Sequence, residues 1–102
     1  NPSINMKKAL TSIKKRVEAG VAYLNAVQPQ WLKKIDIAKL DMGNPNVCVI
    51  GEVLGHYGKI NELGIDKNSE ASIALGFYCD NEEEYPALTR AWKKKIKELR
   101  GE

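Results

Sequence analysis

Residues 47–77 read VCVIGEVLGHYGKINELGIDKNSEASIALGF, and three of the five glycines in this stretch divide it into segments. Gly55, Gly64 and Gly76 each follow a short segment rich in apolar residues, and an apolar residue comes directly after the last two. A glycine in the left-handed conformation commonly ends a helix, and the apolar residue after it folds back onto the last turn. We therefore predict that these three glycines terminate short helices.

The first of these segments is the most ambiguous. Residues 47–54 are apolar on nearly all sides, which suits either a buried helix or a buried strand. We predict a helix capped by Asn46, because no other part of the chain shows the alternating pattern of a partner strand. The preceding residues 41–46 contain Gly43 and Pro45 and are predicted to form a loop.

Amphipathic helices are predicted at both ends of the chain. In residues 6–27, apolar side chains recur at spacings of three and four, and Gly20 among them predicts the close approach of another backbone. The last helix is predicted to start at Pro86, with glutamates before it and basic residues at its end, as the helix dipole favours. Its predicted apolar stripe comprises Tyr85, Leu88, Trp92, Ile96 and Leu99.

Together these elements predict an all-α fold. We expect a compact single domain, residues 6–102, in which two longer amphipathic terminal helices pack around three or four short glycine-terminated helices. Residues 1–5 are predicted to be a tag remnant or a disordered arm. The longest uncharged apolar run, residues 47–51, is far shorter than the roughly 20 residues that a bilayer span requires. No membrane contact is predicted, and the expected location is the cytoplasm.

Catalytic chemistry has few candidates in this sequence. Cys48 is predicted near the start of a helix and His56 beyond its far end, which places them more than ~10 Å apart. Cys48, His56 and Cys79 also lack the closely spaced ligand pairs of zinc sites. No glycine-rich loop is followed by the Lys-Ser/Thr of a phosphate-binding motif. We predict no enzymatic activity, no metal and no cofactor.

Charge is distributed unevenly along the chain. The net charge is +3, but both ends are basic and the middle is acidic. This segregation either lets the ends pack beside the middle or marks a surface for a charged partner. Acids just before a helix also stabilise its dipole. The candidate partner-binding residues are Asp80, Glu82, Glu83 and Glu84 in the acidic stretch, and Arg90, Lys93, Lys94 and Lys97 on the outer face of the last helix.

Nucleic-acid binding is the alternative that these charges allow. Residues 60–75 have the outline of a helix-turn-helix, but the second helix offers Glu70, Ala71 and Ser72 rather than groups that contact bases and phosphates. The other route is phosphate binding by the basic outer faces of the terminal helices. Those faces carry Lys7, Lys8, Lys14, Lys15 and Arg16 at one end, and Lys93, Lys94, Lys95 and Lys97 at the other.

An ordered set of residues between positions 17 and 96 carries a resemblance to a family. The set is Tyr23-Leu24, Trp31, Ile35-Asp36, Leu40-Asp41-Met42, Cys48-Val49-Ile50-Gly51-Glu52-Val53, Gly55, Tyr57, Leu63-Gly64-Ile65, Ala71, Leu75-Gly76-Phe77, Tyr85, Leu88-Thr89, Ala91-Trp92 and Ile96. It resembles a family of small uncharacterised proteins found in bacteriophages and bacterial genomes. The resemblance implies a phage or prophage setting, in which short domains without catalytic groups bind one host or phage protein.

Two functions are therefore expected from the sequence. The first is a non-enzymatic protein-interaction module in the host cytoplasm, in particular an inhibitor of a host defence or replication protein. The alternative is a small basic nucleic-acid-binding accessory factor. The sequence leaves the oligomeric state open.

Overall fold

The fold is built from helices. The computed structural model describes the backbone of residues 2–102 and the side chains of residues 13–102. Along residues 2–102, five α-helices and two short 3₁₀ helices follow one another, and no strand occurs. The α-helices are α1 (Pro2–Val27), α2 (Trp31–Lys34), α3 (Val49–Leu54), α4 (Glu70–Ala74) and α5 (Tyr85–Arg100); the 3₁₀ helices are Tyr57–Leu63 and Glu82–Glu84.

The prediction of an all-helical single globule is confirmed. The radius of gyration is 13.0 Å, which is the value of about 13 Å expected for one compact domain of roughly 100 residues.

α1 begins at Pro2 rather than at the predicted Met6, so residues 2–5 belong to this helix. Asn1 lies outside the described residues, and the tag remnant stays a prediction.

Residues 47–54, which suited either a helix or a strand, contain the helix α3, but the first turn of this helix differs from the prediction. Cys48 rather than Asn46 caps α3, because the Cys48 Sγ accepts a hydrogen bond from the backbone N–H of Gly51 at 3.3 Å. Asn46 lies in the preceding turn, where the carbonyl of Asn44 accepts hydrogen bonds from the N–H groups of Val47 and Cys48. That turn delays the start of the helix until Val49.

The three glycines end helical segments as predicted. Gly55, Gly64 and Gly76 have φ angles of 100°, 81° and 72°, in the left-handed region. After α4, the Gly76 N–H donates to the Ile73 carbonyl at 3.0 Å and the Phe77 N–H to the Ser72 carbonyl at 2.9 Å. These two bonds are those of a Schellman motif. The segment before Gly64 is a 3₁₀ helix rather than an α-helix.

The core forms where α1 crosses α4 and α5. A Cβ added at Gly20 would lie 2.2 Å from the Leu75 carbonyl oxygen and 2.9 Å from the Trp92 ring, which confirms the predicted close approach. The Trp92 Nε1 donates to the Gly76 carbonyl at 2.7 Å, and its ring stacks on Phe77. The largest fully buried side chains include Trp31, Trp92, Phe77, Leu24, Ile50, Ile60, Leu88 and Ile96.

The end of α5 is less buried than its apolar pattern predicts. Leu99 is 45% exposed, because it lies in the last turn of the helix at the edge of the core. The next residue, Arg100, points inward instead. Its Nη2 donates to the carbonyls of Leu32 and Ile35 at 2.6 Å each, so it ties the end of α5 to the chain around α2.

Candidate functional site

The predicted acidic stretch divides into exposed and paired carboxylates. Asp80, Glu82 and Glu83 are exposed, and the Asn81 Oδ1 accepts a hydrogen bond from the Glu83 N–H at 3.0 Å. Glu84 is half-buried, and its Oε1 lies 3.0 Å from the Arg16 Nη2 of α1. Glu84 therefore joins the second 3₁₀ helix to α1, whereas the other three carboxylates face solvent.

The predicted basic residues lie together on α5. Spacings of three and four place Arg90, Lys93, Lys94 and Lys97 on one face of a helix, away from the buried Trp92. Arg90, Lys94 and Lys97 are exposed, and Lys93 is half-buried. The side chains of Lys7 and Lys8, which belong to the predicted basic face of α1, lie outside the described residues.

A groove between α1 and α5 adjoins this basic face and is here called the α1–α5 groove. It has a volume of about 480 Å³. Its floor and walls are apolar, and its rim carries charges. The apolar residues are Ile13, Val17, Ala87 and Ala91, and the charged residues are Lys14, Glu18, Lys94, Lys95 and Glu98.

Of the candidate partner-binding residues, only Lys94 lines this groove, and Lys14 and Lys95, which line it too, were named for the nucleic-acid alternative. Ala87 and Ala91 are four residues apart on α5, so the sequence did contain a signal for a shallow apolar strip beside the lysines. The Lys95 Nζ lies 3.4 Å from the Glu98 Oε2 of the same helix. Part of the positive charge on the rim is therefore neutralised locally.

A second concavity is lined in part by aromatic rings and is here called the tyrosine cavity. Its volume is about 130 Å³. Tyr57 and Tyr78 stack with ring centroids 6.2 Å apart and an interplanar angle of 19°. The cavity is lined by Met42, Gly43, Pro45, Cys48, Tyr57, Asn68, Phe77, Tyr78 and Tyr85.

Two of the tyrosine hydroxyls are held by the backbone. The Tyr57 hydroxyl accepts a hydrogen bond from the Asn68 N–H at 3.1 Å. The Tyr85 hydroxyl accepts from the Cys79 N–H at 3.3 Å and donates to the Cys79 carbonyl at 3.4 Å. These bonds fix the orientation of both rings, so the cavity walls are preorganised.

An open depression of about 550 Å³ continues from the tyrosine cavity and is here called the acidic groove. Gly43 and Tyr85 line both concavities, so the two adjoin. Asp41 and Glu82 supply the carboxylates of the acidic groove, and the Asp41 Oδ1 accepts a hydrogen bond from the Gly43 N–H at 2.9 Å. Of the predicted site residues, the acidic groove contains only Glu82.

The two cysteines are free and buried, and the histidine is exposed. Burial raises the pKa of the Cys48 thiol, and burial raises the pKa of the Cys79 thiol to about 11. Both thiols therefore stay protonated near neutral pH, whereas a nucleophile requires the thiolate. His56 is exposed, and its Nδ1 accepts the Gly58 N–H at 2.9 Å, which caps the first 3₁₀ helix.

Comparison with family models, with curated proteins and with solved structures finds no match for this chain. Within the part of the chain that the structure describes, no helix is long and apolar enough to cross a bilayer. In the same part, no group of three or more His, Cys, Asp or Glu side chains is placed to hold a metal ion. Function is therefore inferred from the concavities themselves.

Proposed function

We propose that this chain is a non-enzymatic protein-interaction module that binds an acidic amphipathic helix of a partner protein. The binding site is the α1–α5 groove. The observation that carries the proposal is the combination of an apolar floor with a lysine rim between two long helices. In this proposal, the two terminal helices form a frame around the short glycine-terminated helices, and the groove follows the line where the frame helices meet.

The shape of the groove suits a helix as the occupant. Ala87 and Ala91 contribute only methyl groups, so a ridge of larger side chains can approach the backbone of α5. An amphipathic helix places its apolar anchors at spacings of three and four, which is how helices dock into such grooves.

The charge of the surrounding surface suits an acidic partner. Lys14 and Lys94 stand exposed on opposite sides of the groove, and the exposed Arg90 and Lys97 extend the basic surface along α5. Complementary charge of this kind raises the association rate and selects the partner more than it increases affinity. Acidic side chains flanking the apolar anchors would meet these cations.

The groove favours a protein over nucleic acid. The apolar part of its lining, Ile13, Val17, Ala87 and Ala91, is what distinguishes the two kinds of partner. The apolar floor offers nothing to a phosphate backbone, whereas apolar side chains of a peptide would be buried there. The nucleic-acid alternative depends on the outer lysines alone.

The resemblance to small phage and bacterial proteins supports a more specific version of the proposal. The partner is then a host or phage protein, and the chain acts in the host cytoplasm as an inhibitor of a defence or replication protein. Occupying the docking site of an acidic helix would block the contact that this helix normally makes.

A peptide selection tests the proposal without a known partner. Random peptides about 16 residues long, slightly over four helical turns, are displayed and selected on the purified chain. The selected peptides are then measured on Ala91→Arg, which fills the groove, and on Ala38→Arg, which places the same charge on an exposed turn. We expect peptides with apolar residues at helical spacing and acidic flanks, bound at least about tenfold more weakly by Ala91→Arg than by Ala38→Arg.

Two results would contradict the proposal. One is a set of peptides that lacks this pattern or that binds Ala91→Arg as well as the native chain, with both variants giving native-like circular dichroism. The other is retention on duplex DNA at ~50 mM salt that falls steeply with added salt and is lost in Lys94→Gln and Lys97→Gln. That second result would favour the nucleic-acid-binding accessory factor.

A further inference from the structure

We infer that the tyrosine cavity and the acidic groove together form a second binding site, which takes the cationic side chain of a lysine or arginine from a basic segment of a partner. This site shares no lining residue with the α1–α5 groove. It also has the opposite charge. The inference therefore goes beyond the function proposed above and does not depend on it.

The aromatic walls provide the first part of the recognition. A cation over the face of a tyrosine is attracted by the negative charge of the ring face, and desolvation strengthens this attraction. Tyr57, Tyr78 and Tyr85 line the cavity together and are each half-buried. The backbone bonds to the hydroxyls of Tyr57 and Tyr85 hold two of these rings in place before a ligand arrives. Little side-chain entropy would then be lost on binding.

The size of the cavity limits the occupant to one side-chain group. Its volume of about 130 Å³ is well below the range of about 300 Å³ and above in which drug-sized ligands bind. A cavity of roughly 150 Å³ accommodates one benzene ring. The end of a single lysine or arginine side chain matches this size, and the adjoining acidic groove has room for the rest of the residue.

The charge of the acidic groove selects a cation. Asp41 and Glu82 line it, and among the lining residues described for the two concavities there is no lysine or arginine. A partner carboxylate or phosphate would meet these acids without compensation. A neutral side chain would gain nothing from them. Carboxylates in the acidic groove and tyrosine rings in the adjoining cavity together describe a site for a positively charged group.

Gly43 stands where the two concavities meet. Its φ angle lies outside the left-handed region, so alanine fits the backbone. A Cβ at this position would lie 3.4 Å from the Asp41 Oδ1 and 3.5 Å from the Tyr85 Cβ, which is ordinary van der Waals contact. Gly43→Ala would therefore add a methyl group at the junction of the two concavities without disturbing the fold. This makes it a specific probe of the site.

The test uses blocked pentapeptides with one variable central residue between glycines. Arginine is compared with citrulline, which has nearly the same shape without the charge, and lysine with norleucine. Binding is followed by NMR, through the amides of Gly43 and Asn68 and the ring signals of Tyr57, Tyr78 and Tyr85. We expect the cationic peptides to shift these signals and to bind at least about fivefold more tightly than their neutral counterparts.

Variants of the chain locate the binding. We expect Gly43→Ala to weaken arginine binding at least about fivefold and Glu82→Gln to weaken it about twofold or more. Glu83→Gln removes the same charge at a neighbouring exposed position outside the groove and should change binding less than Glu82→Gln. Ala91→Arg fills the other groove and should leave arginine binding unchanged.

Three outcomes would overturn the inference. The first is equal binding of the arginine and citrulline peptides, and the second is a set of shifts that spares the three tyrosines. The third is no binding up to about 10 mM peptide, a concentration that would saturate a site of millimolar affinity. All three would leave the peptide selection on the α1–α5 groove unaffected, so failure of one proposal is distinguishable from failure of the other.

Discussion

The α1–α5 groove and the tyrosine cavity are built by the chain in opposite ways. The groove lies between two long helices, and its residues on α5 recur at spacings of three and four. The tyrosine cavity gathers residues from five separate places along the chain, mostly loops and helix ends. The groove is therefore a property of two regular elements, whereas the cavity depends on how the irregular middle folds onto α5.

The two concavities also differ in charge and in size. The α1–α5 groove is larger, and its charged residues are mainly basic, while the tyrosine cavity is smaller and more aromatic and continues into an acidic groove. The uneven charge of the sequence thus reappears as two separate surfaces of opposite sign. Variants that affect one region and spare the other test whether the regions are independent.

The largest effect is expected at the helix crossing beneath the groove. Gly20→Ala would place a Cβ 2.2 Å from the Leu75 carbonyl oxygen, a backbone atom that cannot rotate away. The change favours the helix by about 1 kcal/mol, but forcing α1 away from α4 and α5 costs more. We expect a net loss of about 3 kcal/mol in the free energy of unfolding, measured by urea denaturation.

Gly43→Ala is the matched control for Gly20→Ala, because it adds the same methyl group at a position where the nearest atoms lie at van der Waals distance. Its unfolding free energy should stay within about 0.5 kcal/mol of the native value. Gly20→Ala should also weaken peptide binding in the α1–α5 groove. If both alanine variants were equally stable, the close crossing of α1 over α4 and α5 would be wrong.

The second effect concerns the bond between α5 and the chain around α2. Arg100→Met keeps the aliphatic stem but leaves the carbonyls of Leu32 and Ile35 without their charged donor. Hydrogen bonds to charged groups contribute about 1.5–3 kcal/mol, so we expect a loss of about 2 kcal/mol. Lys97→Met, an exposed position on the same helix, should change stability by less than about 0.5 kcal/mol. If Arg100→Met and Lys97→Met lowered the free energy of unfolding equally, Arg100 would act through its charge and not through hydrogen bonds to the two carbonyls.

These two variants also mark what the sequence could predict. Gly20 signalled a helix crossing because a glycine inside an amphipathic helix has a local cost that only close packing explains. Gly55, Gly64 and Gly76 signalled helix ends because the left-handed conformation is a property of one residue. Arg100 gave no comparable signal. Its two carbonyl partners lie more than sixty residues away in sequence, and spacing along one helix cannot reveal them.

In the candidate site, too, features within one helix were predictable and contacts between distant residues were not. The basic face of α5 was predictable because its residues share one helix, and Lys94 does line the α1–α5 groove. The tyrosine cavity was not predictable, since Tyr57, Tyr78 and Tyr85 come together only through the fold. The run of acids looked uniform in the sequence, but the pairing of Glu84 with Arg16 separates it from its neighbours. A residue pattern predicts what one element presents, and packing decides which elements meet.

The third prediction concerns the wall of the tyrosine cavity. Cys79 is bonded through its backbone to the Tyr85 hydroxyl, and burial raises the pKa of its thiol from 9.0 to about 11. The unfolded chain therefore loses this proton at lower pH than the folded chain. The contribution of the protonated thiol to the free energy of unfolding is fully present below pH 9 and is lost as pH rises towards 11. We expect a decrease of roughly 1 kcal/mol between pH 8 and pH 10 from this group.

In the Cys79→Ala variant, the free energy of unfolding should fall by roughly 1 kcal/mol less between pH 8 and pH 10 than in the native chain. The measurement is urea denaturation of both chains at pH 8 and pH 10 with a reductant present. Because the two chains share every lysine and tyrosine, the difference between their slopes reports the thiol together with its effect on the pKa of Tyr85. Parallel slopes would show that Cys79 is accessible to solvent and that the wall behind Tyr85 is looser than the structure has it.

The smallest effect tests the ion pair between Arg16 of α1 and Glu84 of the acidic stretch. The side chains of Arg16 and Glu84 are 15% and 37% exposed, so their pairing is close to a surface salt bridge. Glu84→Gln should lower the free energy of unfolding by about 0.5 kcal/mol, and ~1 M salt should remove most of the difference. Glu83→Gln removes the same charge one position earlier, without that partner. If Glu84→Gln and Glu83→Gln lower the free energy of unfolding equally, the acids act through the dipole of α5 rather than through Arg16. If only Glu84→Gln does, Glu84 belongs to the fold, and Asp80, Glu82 and Glu83 are the carboxylates left for a partner.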